Sequence, residues 1–168
     1  MIRKVLATSN DSALTVLRLV LGAVFFAHGA QKMLGWFGGP GLPGAMKGFT
    51  DYLHIPAPLA LLAIAAEFFG GLALIAGLLT RPAAAGIAVN MVVAAALVHA
   101  PVGFFMNWTG TQKGEGFEYH LLALAAAVVL ILRGGGALSL DRLLARPRSP
   151  ENRDLARGAA GLDLSKIA

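Results

Sequence analysis

The apolar residues of this chain fall into long blocks rather than recurring at the spacing of a soluble core. The blocks cover residues 14–34, 56–79, 83–105 and 117–132. The hydrocarbon layer of a bilayer takes about 20 apolar residues as a helix, and uninterrupted runs of roughly 18 or more read as spans. In lipid each backbone N–H and C=O must be paired within the protein, so only helices or closed barrels cross. Blocks of this length suit helices. The expected fold is all-α, a four-helix transmembrane bundle with antiparallel neighbours. The block at 117–132 is the shortest and leaves room for extra turns at either end.

Composition agrees. Of the 168 residues, 57% are apolar and 14% are Asp, Glu, Lys or Arg, where a soluble domain carries about a quarter charged. The net charge of +5 does not point to nucleic acid, because the basic residues gather at the ends of the blocks. Arg142, Arg146, Arg148, Arg153 and Arg157 all follow the last one. There is no cysteine. The chain therefore has no disulfide, no thiol chemistry, no CxxCH haem attachment and no Cys-ligated iron–sulfur cluster of its own.

Residues 1–13 form a short N-terminal segment, 14–141 the bundle, and 142–168 a basic tail expected to be mobile. The first block reads as a retained span rather than a signal peptide, since polar residues 8–12 separate it from the basic start. Asp11 or Ser12 can cap it. The glycine- and proline-rich stretch 35–44 ends it, and residues 47–55 read as a short helix or loop. Pro56 or Pro58 opens the second block. Thr80-Arg81-Pro82 reads as a tight turn that makes the second and third blocks antiparallel neighbours. Pro101 is expected to kink the third, and the glycines at 134–136 stop the fourth.

An even number of crossings puts both termini on one side. Arg3, Lys4, Arg81, Arg133, Arg142, Arg146 and Arg148 fall near the membrane on that side, and Lys32, Lys47 and Lys113 on the other. The positive-inside rule then places both termini in the cytoplasm, as in a multi-pass protein of a bacterial inner membrane. Trp36, Trp108 and Tyr119 mark the outer boundary.

Ionisable groups within spans are costly and face the protein interior. Arg18, Gly22, Phe25, Gly29 and Lys32 share one stripe of the first span, bordered by His28. Ala63, Glu67, Gly70, Gly71, Leu74 and Gly77 share one stripe of the second. Small residues on both stripes let two helices approach closely, so the first two spans are expected to pack together and bury Glu67. At the helical rise, Glu67 lies roughly 16 Å and His28 roughly 9 Å inside the outer boundary. Helical side chains lean toward the N-terminus of their own helix, which brings these two together. The expected partner of Glu67 is His28, with Lys32 at the rim and Arg18 as the alternative. A pair of this kind either pins two helices or handles protons. Asn90 shares one face of the third span with Gly86 and Ala94 and suits an interhelical hydrogen bond. His99 and Glu118 sit near the outer surface, Glu118 where a helix N-terminus favours an anion. His28, Glu67, His99 and Glu118 together could line a pocket with titratable walls. No metal-ligand, phosphate-loop or dinucleotide motif is present.

Several of these residues recur as motifs: Arg18-Leu19 with Gly22; His28-Gly29 with Lys32; Glu67-Phe68-Phe69-Gly70-Gly71; Gly77-Leu78-Leu79-Thr80-Arg81; Gly103-Phe104-Phe105; Glu118-Tyr119 with Leu121-Leu122; and Leu138-Ser139-Leu140-Asp141. Taken in order over residues 14–141, they resemble the DoxX family of small four-span membrane proteins. The resemblance implies a membrane subunit of a quinone-linked oxidoreductase, such as a thiosulfate:quinone oxidoreductase, or of an oxidative-stress complex. It brings a quinone as the expected cofactor, with nothing bound covalently. Expected partners are the lipid bilayer, further redox subunits or copies of the chain, and no nucleic acid. His28 and Glu67 would handle protons, with Arg18 and Lys32 tuning their charge. Similar folds in assembly or cargo factors imply a second function, a non-catalytic scaffold for soluble partners. A small-solute or proton pathway is the third.

Overall fold

A computed structural model describes residues 2–145, and every regular element in them is helical. The expected mobile tail lies almost wholly outside the described residues. The elements are α1 (Ile2–Val5), α2 (Ser12–Leu34), α3 (Gly41–Lys47), α4 (Ala57–Ala76), α5 (Thr80–Ala94), α6 (Glu118–Arg133) and α7 (Leu140–Ala145). Three helices are long and apolar enough to cross a membrane: Ser12–Leu34, Ala57–Ala76, and Thr80–His99, which is α5 with its continuation. Helix α6 has 16 residues, or about 24 Å at the helical rise.

The boundaries follow from local chemistry. Asp11 caps α2, its carboxylate accepting from the Ala13 N–H at 2.8 Å. Pro56 stands at the N-cap of α4, where a missing N–H costs nothing. Gly77 ends that helix in the left-handed conformation, φ 67°, which a residue without Cβ adopts freely. The turn between α4 and α5 therefore occupies 77–79, earlier than the Thr80-Arg81-Pro82 turn expected from sequence. Those three residues open α5 instead, and Pro82 is tolerated in a first turn. Residues 41–47, which begin inside the 35–44 stretch expected only to end the first span, form α3 and pass into a π turn over Gly48–Tyr52, within the short helix or loop expected at 47–55.

The third apolar block behaves differently from its expected 83–105 extent. After Ala94 the helix widens into a π turn, Ala95–His99, with the Ala100 N–H donating to the Ala95 carbonyl at 2.7 Å. The helix then stops before Pro101 rather than kinking through it, and Phe104 and Phe105 belong to the loop between α5 and α6.

Helix α2 packs most extensively on α4, α4 on α5, α5 on α6, and α6 back on α2. The α2–α4 contact is made at backbone distance. A Cβ on Gly22 would lie 2.9 Å from the Ile75 nitrogen, and one on Gly29 would fall on the Phe68 backbone. Between α2, α4, α5 and α6 lies a core that includes Phe25, Leu74, Ile87, Ala127 and Leu130. Large apolar side chains on the outward faces stay exposed, among them Val16, Leu62, Phe69, Val89, Leu122 and Leu132. That is the inverse of a soluble surface, and it suits contact with lipid.

One end of the molecule is closed by backbone capping. Arg18 is 1% exposed. Its Nη1 donates to the carbonyls of Leu74 (2.5 Å) and Ile75 (2.6 Å), its Nε to Gly135 (2.9 Å) and its Nη2 to Leu138 (2.7 Å). Asp141 accepts from the N–H groups of Leu79 (2.6 Å) and Thr80 (2.8 Å). The glycines at 134–136 do more than stop α6. A Cβ on Gly135 would lie 2.6 Å from the Thr80 Oγ1, and one on Gly136 would lie 2.7 Å from the Thr15 nitrogen, so this segment folds back tightly beneath the helices.

Candidate functional site

The other end holds the titratable residues. Glu67 is buried on α4, and its carboxylate pairs with the Lys32 ammonium from α2. This corrects the expected Glu67–His28 contact. The same lean toward the helix N-terminus acts on both α2 residues. Lys32 stands on the Gly22–Gly29 stripe that meets α4, and its four-carbon stem carries the charge inward. His28 lies beside the pair, within electrostatic reach of Lys32 and Glu67.

Arg18 is not an alternative partner of Glu67. Its guanidinium is committed to four carbonyls at the opposite end of α2. Asn90 makes the interhelical bond expected of it, its Nδ2 donating to the Ala63 carbonyl of α4 at 2.8 Å. Glu118 does sit in the first turn of α6, but it turns toward the α5–α6 loop and accepts from the Met106 N–H at 3.1 Å. His99 joins the loop by one ring nitrogen, 2.8 Å from the Glu115 carbonyl oxygen.

Two residues enter the cluster from α6. The His120 ring lies against that of His99, with centroids 4.0 Å apart, and within electrostatic reach of His28. Tyr119, read from sequence as a boundary aromatic, lies within electrostatic reach of Glu67. The His120 Nδ1 and the Tyr119 hydroxyl are both buried with no hydrogen-bond partner among the described residues. A buried polar group left unpaired costs about 1–3 kcal/mol, which sets these two apart from the satisfied Lys32–Glu67 pair beside them. A signal for His120 was present in the sequence. It begins the stripe His120, Ala123, Ala127, Leu130, which is the buried face of α6.

This end of the molecule thus contains one satisfied ion pair, a histidine beside it, a stacked pair of histidines and two polar atoms without a partner among the described residues. Lys32 pairs with Glu67 and His99 stacks on His120, and His28 lies within electrostatic reach of both pairs, so five groups that can hold or accept a proton share this end of the molecule. Among the described residues no three His, Cys, Asp or Glu side chains are grouped to hold a metal ion.

An all-helical chain with membrane-length apolar helices and charges buried between them is an integral membrane protein. It belongs to the DoxX family, whose model matches residues 13–100. Among curated proteins, the chain is 28% identical over 135 residues to "Inner membrane protein YqjF" of Escherichia coli (strain K12), covering 80% of this chain and 94% of that one. It is also 28% identical over 126 residues to "Putative oxidoreductase CatD" of Bacillus subtilis (strain 168), covering 75% of this chain and 82% of that one. No solved structure matches.

Proposed function

We propose that this chain crosses the bacterial inner membrane four times, with both termini in the cytoplasm, as a membrane subunit of a quinone-linked oxidoreductase. Helix α6 supplies the fourth crossing, and the four mutually packed helices form a transmembrane bundle. Support for the redox reading comes from one observation above the others: the Tyr119 hydroxyl and the His120 Nδ1 are buried and unpaired within reach of the Glu67–His28 group. A quinone supplies two-electron chemistry and has carbonyl oxygens that need hydrogen-bond donors when it is reduced. Tyrosine and histidine are residues that fit such oxygens, and Glu67 and His28 are placed to pass protons to that region. The relative named as an oxidoreductase agrees in class. A chain without cysteine leaves the electrons to a partner subunit.

The test is quinone content and quinone-dependent turnover of the complex purified in mild detergent. Near-stoichiometric quinone in the wild type, with turnover lost in Glu67→Gln, is the expected result. Undiminished turnover in that variant would remove Glu67 from the reaction.

A second reading, a scaffold for soluble partners, draws on a different observation. Lys32 and Glu67 satisfy each other and pin α2 to α4, which a structural pair would also do. Truncation after Asp141 separates the two. Loss of co-purifying partners from an intact, quinone-free bundle favours the scaffold.

A further inference from the structure

Helix α7 is held against one end of the bundle with its apolar side turned outward. The Asp141 N–H donates to the Gly77 carbonyl at 2.8 Å, and the Asp141 carboxylate caps α5. Ser139 is buried, its hydroxyl donating to the Gly136 carbonyl at 3.0 Å. These bonds fix which face of α7 points inward. Leu140, Leu143 and Leu144 follow at i, i+3 and i+4, one stripe of a helix. They are exposed, as is Leu138 before them; Leu138 is 79% and Leu144 62% exposed. The bonds to the 77–79 turn also set the depth of α7. It starts one hydrogen bond from where α4 ends and α5 begins, and Leu78 and Leu79 of that turn are exposed too. The leucines of α7 thus continue the apolar outer surface of the long helices at the level where those helices stop.

Charge on the same segment is one-sided. Residues 133–148 hold Arg133, Arg142, Arg146 and Arg148 against a single acid, Asp141, and that acid is buried in the cap. Arg133 is exposed, and neither it nor Arg142 forms an ion pair with another described residue. We infer that α7 lies in the headgroup layer of the leaflet at this end, with its leucine stripe against the acyl chains and its flanking arginines on anionic lipid headgroups. Apolar contact and attraction to anionic lipid together hold a helix in that layer. Six residues span about 9 Å at the helical rise, too short to cross a bilayer and long enough to lie in its boundary. Arginine suits the position because its apolar stem runs along the hydrocarbon while its charged head stays at the surface. The inference stands apart from the redox reading, since α7 packs at the end of the bundle opposite Glu67.

The experiment places one indole on the stripe of the full-length protein in lipid bilayers. Trp36 and Trp108 are the native tryptophans, so Trp36→Phe and Trp108→Phe leave Leu144→Trp as the sole reporter. Expected is blue-shifted emission, quenched by lipids with brominated acyl chains and not by iodide in the water. Leu143→Trp, on the same stripe, repeats the measurement if Leu144→Trp folds poorly. In mixed bilayers, brominated phosphatidylglycerol should associate with the reporter about fivefold more tightly than brominated phosphatidylcholine, the worth of one arginine at an anionic surface. Arg133→Gln combined with Arg142→Gln should bring that ratio toward one. Long-wavelength emission quenched by iodide alone would put the stripe in water, leave it to a soluble partner, and overturn the inference. Equal association of the two lipids, or a ratio unchanged in the double arginine variant, would overturn the recognition of anionic lipid.

Discussion

Arg18 and Asp141 seal the two sides of one turn: the guanidinium takes the last carbonyls of α4, and the carboxylate takes the first amides of α5. Both side chains are about 1% exposed. The ends of helices leave such groups without intrahelical partners, and here a cation meets the negative end of one helix dipole while an anion meets the positive end of the next. The 77–79 turn is therefore held by charge rather than by its own hydrogen bonds alone.

Arg18→Met should be among the most destabilising single changes in the chain, by about 3–5 kcal/mol, because it leaves Asp141 and several carbonyls buried without the cation. Asp141→Asn keeps one acceptor and should cost less. Thermal unfolding in mild detergent ranks the two, and equal midpoints for Arg18→Met and the wild type would contradict the clamp.

The close approach of α2 and α4 gives a steric prediction. Gly71→Val places a branched side chain where a Cβ already falls on the Phe26 backbone, so the helices must part, at a cost of about 1–3 kcal/mol or more. Gly48→Ala meets open space and should be near neutral. Comparison of their unfolding midpoints checks the interface without touching a charge.

For Lys32 and Glu67 a double-mutant cycle is decisive. Each single change, Lys32→Met or Glu67→Gln, should lower stability by about 3 kcal/mol or less, since Lys32 keeps partial access to solvent. The double variant should cost clearly less than the sum. Strict additivity would mean that the two charges do not interact in the membrane-embedded protein.

Topology can be mapped because the chain has no cysteine of its own. Thr111→Cys lies in the α5–α6 loop and, with the proposed orientation, should react with a membrane-impermeant maleimide on intact cells. Asn10→Cys should react only after permeabilisation. The opposite pattern would reverse the proposed orientation.

The order of the helices was legible because hydropathy and glycine spacing are properties of side chains, and α2, α4, α5 and α6 begin and end near where those patterns change. The α2–α4 contact followed from Gly22, Gly29 and Gly71 for the same reason. What escaped was chemistry involving the backbone. Arg18 stood as an alternative partner for a carboxylate because a sequence displays Glu67 but hides the carbonyls of Leu74 and Leu138. The π turn at Ala95–His99 has no residue signature, and it decides where His99 stands. Lys32 was placed at the rim because counting residues locates a Cα and not the tip of a long side chain. Tyr119 was treated as a belt aromatic, although it is adjacent to a histidine that begins the buried stripe of α6.

The partners of Arg18 also have an order in time. The nearest in sequence, Leu74, is 56 residues downstream, while Gly135 and Leu138 are 117 and 120 residues downstream. During synthesis α2 enters the membrane long before any of them exists. Until α4 is in place the Leu74 and Ile75 carbonyls are not there to accept from Nη1, and the long flexible stem of an arginine allows its charge to reach toward water instead. The last two are claimed only when the chain beyond α6 has been made. The full set of Arg18 acceptors is thus a property of the finished chain alone: one that stops short of residue 138 lacks the Leu138 carbonyl to which Nη2 donates.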